Sequence, residues 1–169
     1  MKALRLFLGL AVALAVQTTL GGWLLQGTTA LDLVLIVVVY IAMTNGPTTG
    51  LLAGSLAGLA QDALSSGVLG IGGLAKTLVG YGVGVLSTQF IITGILPRFL
   101  VFVLATVAHA AVFIGLYVVL DLRVFPSPWP AVVTQAVGNG LAGVVMAQVL
   151  EVLPGMAARR RERRSFRRP

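Results

Sequence analysis

Residues 33–61, LVLIVVVYIAMTNGPTTGLLAGSLAGLAQ, contain no charged side chain, and they decide how many helices the chain forms. A membrane-spanning helix needs about 20 apolar residues, so this stretch is long for one span and short for two. Asn45-Gly46-Pro47 lies near its middle. Such a tripeptide breaks helices, and Pro47 suits the first position of a new one. One kinked span and two short spans are both compatible with the stretch alone.

The composition places the whole chain in lipid. Of its 169 residues, 57% are hydrophobic and 10% are charged, whereas soluble domains carry roughly 25% charged residues. The chain has no cysteine, one histidine and five acidic residues, and it contains none of the common catalytic motifs. We therefore expect no enzyme activity, no catalytic residues, no metal site and no cofactor.

The basic residues favour six spans. Lys2 and Arg5 precede an uncharged run that is too long for a signal peptide, so we expect a retained first span. Seven of the twelve basic residues lie between Arg159 and Arg168. The positive-inside rule puts both ends in the cytoplasm, which requires an even number of spans. A break at Asn45-Gly46-Pro47 gives six, at about 5–25, 30–44, 47–64, 72–92, 97–120 and 130–153.

These spans form one multi-pass membrane domain, residues 1–155, followed by a basic cytoplasmic tail, residues 156–169. We expect the Arg159–Arg168 segment to attract anionic lipids rather than nucleic acid, because it directly follows a membrane segment. The predicted class is an all-α membrane protein.

Two opposite charges, Asp62 and Lys76, fall at the outer ends of the third and fourth spans. The segment between them, with Gly67 and Gly70, is a predicted turn. One hypothesis is an Asp62–Lys76 ion pair that pins this hairpin, since an unpaired charge in a membrane is expensive. The alternative is that each side chain reaches the headgroups separately.

Small residues at helical spacing predict close packing of backbones. The face can serve packing within the chain or docking of a partner helix, and the sequence leaves both open. His109 lies near the centre of the fifth span, where Gln17, Gln135 and Asn139 are candidate hydrogen-bond partners; its role stays open. The glycines of the candidate face are Gly50, Gly54, Gly58, Gly80, Gly84 and Gly140.

The stretch from Ala30 to Gly84 resembles the rod shape-determining protein MreD family of bacteria. The likeness covers about a third of the chain and is generic in the first, fifth and sixth spans. It is carried by Tyr40, Gly46, Gly50, Gly54, Gly58, Gln61-Asp62, Ser66-Gly67, Leu69-Gly70 and Leu74-Ala75-Lys76-Thr77-Leu78-Val79-Gly80-Tyr81.

The resemblance implies a non-enzymatic component of the cell-elongation machinery in the bacterial cytoplasmic (inner) membrane. Its expected partner is MreC, in an assembly with MreB and a RodA-type glycosyltransferase and its transpeptidase, and its expected role is in cell shape and lateral peptidoglycan synthesis. The family is also similar to the six-helix substrate-binding subunits of energy-coupling-factor (ECF) vitamin transporters. Such a subunit is the alternative function.

Overall fold

A computed structural model describes residues 2–24, 31–65, 68–122 and 125–165. Within these ranges the chain is all-helical, with six α-helices and no β-strand, which confirms the all-α part of the predicted class. Gly67 of the predicted turn, and Arg167 and Arg168 of the predicted tail, lie outside the described residues. The helices are α1 (Lys2–Leu24), α2 (Leu33–Asn45), α3 (Pro47–Leu64), α4 (Ile71–Gln89), α5 (Ile95–Val119) and α6 (Trp129–Ser165).

The break between α2 and α3 falls at a single residue, Gly46. Its φ is +86°, a conformation that side-chain-bearing residues rarely adopt. Pro47 then takes the first helical position of α3, where its missing N–H leaves no hydrogen bond unmade. The tripeptide therefore divides the uncharged stretch into two helices.

α2 is the central helix of the bundle. It contacts all five other helices among the described residues. Its side chains are apolar nearly all round, and Val34, Val38 and Ala42 are completely buried. Its 13 residues span about 20 Å, less than the roughly 30 Å of a bilayer core. Most of its side chains pack against neighbouring helices, and its side between α1 and α6 is left uncovered.

α3 and α4 form a hairpin whose backbones touch. A Cβ added to Gly50 would overlap the carbonyl oxygen of Gly80, and one added to Gly54 would overlap that of Lys76. Gly58 packs on Gly73, since a Cβ there would stand 2.6 Å from the Gly73 Cα. The glycines of α3 thus meet α4, and no room remains between them for another helix.

The other two glycines of the candidate face also contact this chain. A Cβ on Gly84 would overlap Pro47 at the start of α3, and one on Gly140 would lie 2.6 Å from the ring of Phe99 in α5. Of the two uses left open by the sequence, the structure shows packing within the chain for all six glycines.

Two helices, Ile95–Val119 and Trp129–Glu151, have the length and apolar composition needed to cross a membrane. The outward-facing sides of α3, α4 and α5 are rich in leucine. So many exposed leucine side chains would be unfavourable in water. These features are consistent with a membrane protein. The exposed residues include Leu52, Leu56 and Leu59 on α3, Leu74 and Leu78 on α4, and Leu96, Leu100 and Leu104 on α5.

A buried charged cluster as candidate functional site

The most polar part of the core is centred on Lys76 of α4, whose side chain is buried. Its ammonium nitrogen lies 2.8 Å from Oδ2 of Asp32 and 3.2 Å from Nε2 of His109. Asp32 precedes α2, and His109 lies on α5. The three residues therefore join three elements through one cation. We call them, with Asn139 and Thr106, the charged cluster.

Asn139 of α6 adds a fourth element and has no exposed surface. Its Oδ1 accepts a hydrogen bond from the backbone N–H of Asp32 at 3.0 Å. Its Nδ2 donates to the hydroxyl of Thr106 on α5 at 3.1 Å, and that hydroxyl donates to the carbonyl of Phe102 at 2.8 Å. Such a chain of satisfied groups fixes the relative positions of the helices that carry it.

The carboxylate of Asp32 makes two contacts, one with each oxygen. Its Oδ2 pairs with Lys76, and its Oδ1 accepts from the backbone N–H of Leu35 at 2.9 Å. The second contact is an N-cap, which satisfies a donor that the first turn of α2 leaves unpaired. Loss of Asp32 would therefore leave two groups without this partner: the backbone N–H of Leu35 in the first turn of α2 and the ammonium of Lys76.

The structure gives Asp62 and Lys76 different partners, in place of the ion pair predicted between them. Oδ2 of Asp62 accepts from the backbone N–H groups of Gly70 and Gly73, each at 2.9 Å. These donors lie at the start of α4, where helical N–H groups lack partners and negative charge is favourable. Asp62 thus closes the hairpin through the backbone, while Lys76 points to Asp32.

Gly70 is the N-cap of α4, and its φ of +101° requires glycine. This left-handed residue turns the chain so that its own N–H and that of Gly73 both reach Asp62. The predicted turn residue Gly70 therefore sits in the hairpin closure.

Replacing Asp62 with Ala should lower the free energy of unfolding by about 2–3 kcal/mol, because two N–H groups at the start of α4 lose a charged acceptor. Asp62→Asn keeps an acceptor oxygen and should cost about half as much. Unfolding in detergent micelles would measure both variants. Equal stability of wild type and Asp62→Ala would contradict the capping role.

The structure shows Lys76, a residue not among the partners expected from the sequence, as a polar partner of His109. A charged ammonium can only donate, so Nε2 accepts and the ring proton belongs on Nδ1. The ring also stacks on Phe113 with centroids 5.9 Å apart. Of the expected partners, Gln17 accepts from the N–H of Val34 at 2.9 Å, and Asn139 is engaged with Asp32 and Thr106.

A second ion pair lies at the opposite end of the bundle, where α5 begins. Arg98 donates to both carboxylate oxygens of Glu151 on α6, at 2.5 and 2.9 Å. Glu151 is half-exposed, so solvent screens this pair far more than the Asp32–Lys76 pair. The Arg98–Glu151 pair joins α5 to α6, whereas the Asp32–Lys76 pair joins the residue before α2 to α4.

The charged cluster is suited to holding helices. Its hydrogen-bonding groups are used on one another, as a buried polar network requires. Within the part of the chain that the structure describes, no group of three or more His, Asp or Glu side chains is placed to hold a metal ion. The contacts of the charged cluster link four elements, namely the residue before α2 and the helices α4, α5 and α6.

Comparison with known proteins agrees with the resemblance noted between Ala30 and Gly84. No curated protein and no solved structure matches the chain. The family model described as rod shape-determining protein MreD matches residues 2–153, which is nearly the whole chain and includes every residue of the charged cluster. The chain therefore belongs to the rod shape-determining protein MreD family, and this membership supports a role in determining rod shape.

Proposed function

We propose that this chain is a non-enzymatic, multi-pass component of the bacterial cytoplasmic membrane that binds MreC. Together they help to control lateral peptidoglycan synthesis, in an assembly with MreB and a RodA-type glycosyltransferase and its transpeptidase. Family membership supports the setting. The charged cluster is the observation that supports action by binding rather than by catalysis, because its charged groups contact one another and do not line an open cavity.

The proposed topology has six spans with both ends in the cytoplasm, arranged as in the substrate-binding subunits of ECF transporters. The position of Lys2 and Arg5 before the first apolar run supports it, as does the basic tail. Asp32 and Asp62 then lie towards the outer side, and Arg98 and Glu151 lie at the cytoplasmic end. The family match favours a role in cell shape over the alternative of vitamin binding.

Binding would proceed by packing of apolar helix surfaces, since lipid supplies no hydrophobic drive between helices. A rigid surface binds a partner more tightly than a flexible one, because ordering a flexible surface on binding costs conformational entropy and lowers the affinity. The cluster supplies that rigidity by tying α2, α4, α5 and α6 together. We place the docking surface elsewhere than the glycine face of α3, because α4 packs against that face.

Co-purification tests this proposal. The tagged protein is extracted from its own cells in mild detergent, and the proteins that accompany it are identified by mass spectrometry. We expect MreC and cell-wall synthases, absent from a parallel purification of an unrelated membrane protein with the same tag. Recovery of a transmembrane coupling protein with paired ATPases, without MreC, would contradict it.

A further inference from the structure

A groove runs along one side of the bundle, between α1 and α6. Its floor is α2, and its volume is about 800 Å³. Among the described residues, α1 contacts α2 and α3 but not α6, so the groove stays open to the side. We call it the side groove. Its lining includes Gly9 and Val12 of α1, Val37 and Tyr40 of α2, and Ala142 and Met146 of α6.

The lining of the side groove suits hydrocarbon. Among the described residues it consists of aliphatic side chains, glycine and Met146, with the phenol of Tyr40 as the one polar side-chain group. A groove of this kind does not retain water well, because water needs polar partners. In a bilayer, its lateral opening faces acyl chains.

The length of the side groove matches one leaflet. Its lining runs from Leu6 to Val16 on α1 and from Ala142 to Leu150 on α6. At about 1.5 Å per residue these stretches measure roughly 12–15 Å, half of a bilayer core of about 30 Å. A partner's spanning helix would need a longer track, whereas acyl chains of a single leaflet fit.

Basic residues in the sequence beyond one end of the groove indicate which leaflet the lipid comes from and that its headgroup is anionic. α1 begins at Lys2, and Arg5 directly precedes the first lining residue, Leu6. The opposite wall, α6, continues past Leu150 into the arginine-rich segment that begins at Arg159. Both walls therefore lead to basic sequence at the same, cytoplasmic end. Basic segments there attract anionic lipid.

We propose that the side groove binds the acyl chains of an anionic phospholipid, with its headgroup at the end of the groove from which α1 begins; this end is cytoplasmic in the proposed topology. The lipid fills the gap between α1 and α6 and covers α2 on its open side. The proposal concerns a site separate from the charged cluster and does not depend on MreC binding.

Two glycine substitutions test the occupancy of the groove. Gly9 lines the groove and a Cβ there meets no atom within 4 Å, so the ring of Gly9→Phe has space to enter the groove. Gly82→Phe is the matched control, since Gly82 of α4 is exposed away from the groove and also has no atom within 4 Å of a Cβ. Each protein is placed in nanodiscs with equal amounts of phosphatidylglycerol and phosphatidylethanolamine, and retained lipid is measured by native mass spectrometry.

We expect wild type and Gly82→Phe to retain phosphatidylglycerol in preference to phosphatidylethanolamine. Gly9→Phe should retain at least about tenfold less, because the ring displaces several buried CH₂ groups. Joint replacement of Lys2 and Arg5 by Gln should weaken the preference for phosphatidylglycerol while leaving total retention nearly unchanged, because the arginine-rich segment that begins at Arg159 remains.

Three results would overturn the proposal. One is equal retention by the Gly9 and Gly82 variants, and another is a wild type without preference for phosphatidylglycerol. The third is that Gly9→Phe keeps its lipid but loses MreC or a second copy of the chain, which would assign the groove to a protein helix.

Discussion

Replacing Lys76 with Gln should destabilise the protein by about 3–5 kcal/mol, because it leaves the buried carboxylate of Asp32 without its cation. The two groups are 2.8 Å apart and both are almost fully buried. Replacing Asp32 with Asn should have an effect of similar size, since it leaves the ammonium of Lys76 unpaired. Asn retains an oxygen for the N–H of Leu35, so the N-cap of α2 is kept.

The double variant Asp32→Asn with Lys76→Gln should be much more stable than the sum of the single changes predicts. It removes both charges together and keeps groups that can hydrogen-bond to each other and to His109. Unfolding of the four proteins in detergent micelles gives a double-mutant cycle, with an expected coupling of at least about 2 kcal/mol. Strictly additive effects would show that the ion pair does not connect α2 to α4.

Replacing Gly54 with Leu should lower the free energy of unfolding by about 3 kcal/mol or more, since overpacking a tight contact forces backbones apart. The new Cβ would overlap the Lys76 carbonyl and stand 2.9 Å from the Cα of Thr77. Gly82→Leu is the matched control on α4, where a Cβ has open space. It should be neutral or slightly stabilising, because Leu favours helix by up to about 1 kcal/mol over Gly.

The same pair of variants separates internal packing from partner docking. If Gly54→Leu kept full stability but no longer co-purified with MreC, the glycine face would be a docking surface and the packing described here would be wrong. Loss of stability in Gly54→Leu, with Gly82→Leu unaffected, would support the contact between α3 and α4.

Local sequence signals predict much of this fold. The break at Asn45-Gly46-Pro47 follows from residue chemistry, and the structure begins α3 at Pro47. Glycines four residues apart on α3 predict a close backbone contact, which the structure shows with α4. These features depend on residues near one another in the chain, so no knowledge of the bundle is needed.

The partners of the charges could not be predicted in this way. The sequence offers Asp62 as the acid nearest to Lys76 along the chain, whereas the structure brings Asp32 to it because α2 passes through the centre of the bundle. A local clue did exist for Asp62. Gly70 followed by Gly73 at the start of α4 offers free N–H donors to a carboxylate at the end of α3. Asn139 had no signal beyond being an amide in an apolar helix.

The central claim is that the charged cluster holds the bundle together and performs no chemistry of its own. It is tested most directly by expressing the double variant, Asp32→Asn with Lys76→Gln, in rod-shaped bacteria that lack their own MreD. Cell width and the amount of folded protein in the membrane are measured together. We predict that cell width follows the amount of folded protein, so that cells with as much folded double variant as wild type are rods of normal width. Round cells that contain normal amounts of the folded double variant would contradict the claim, because the charges themselves would then be required.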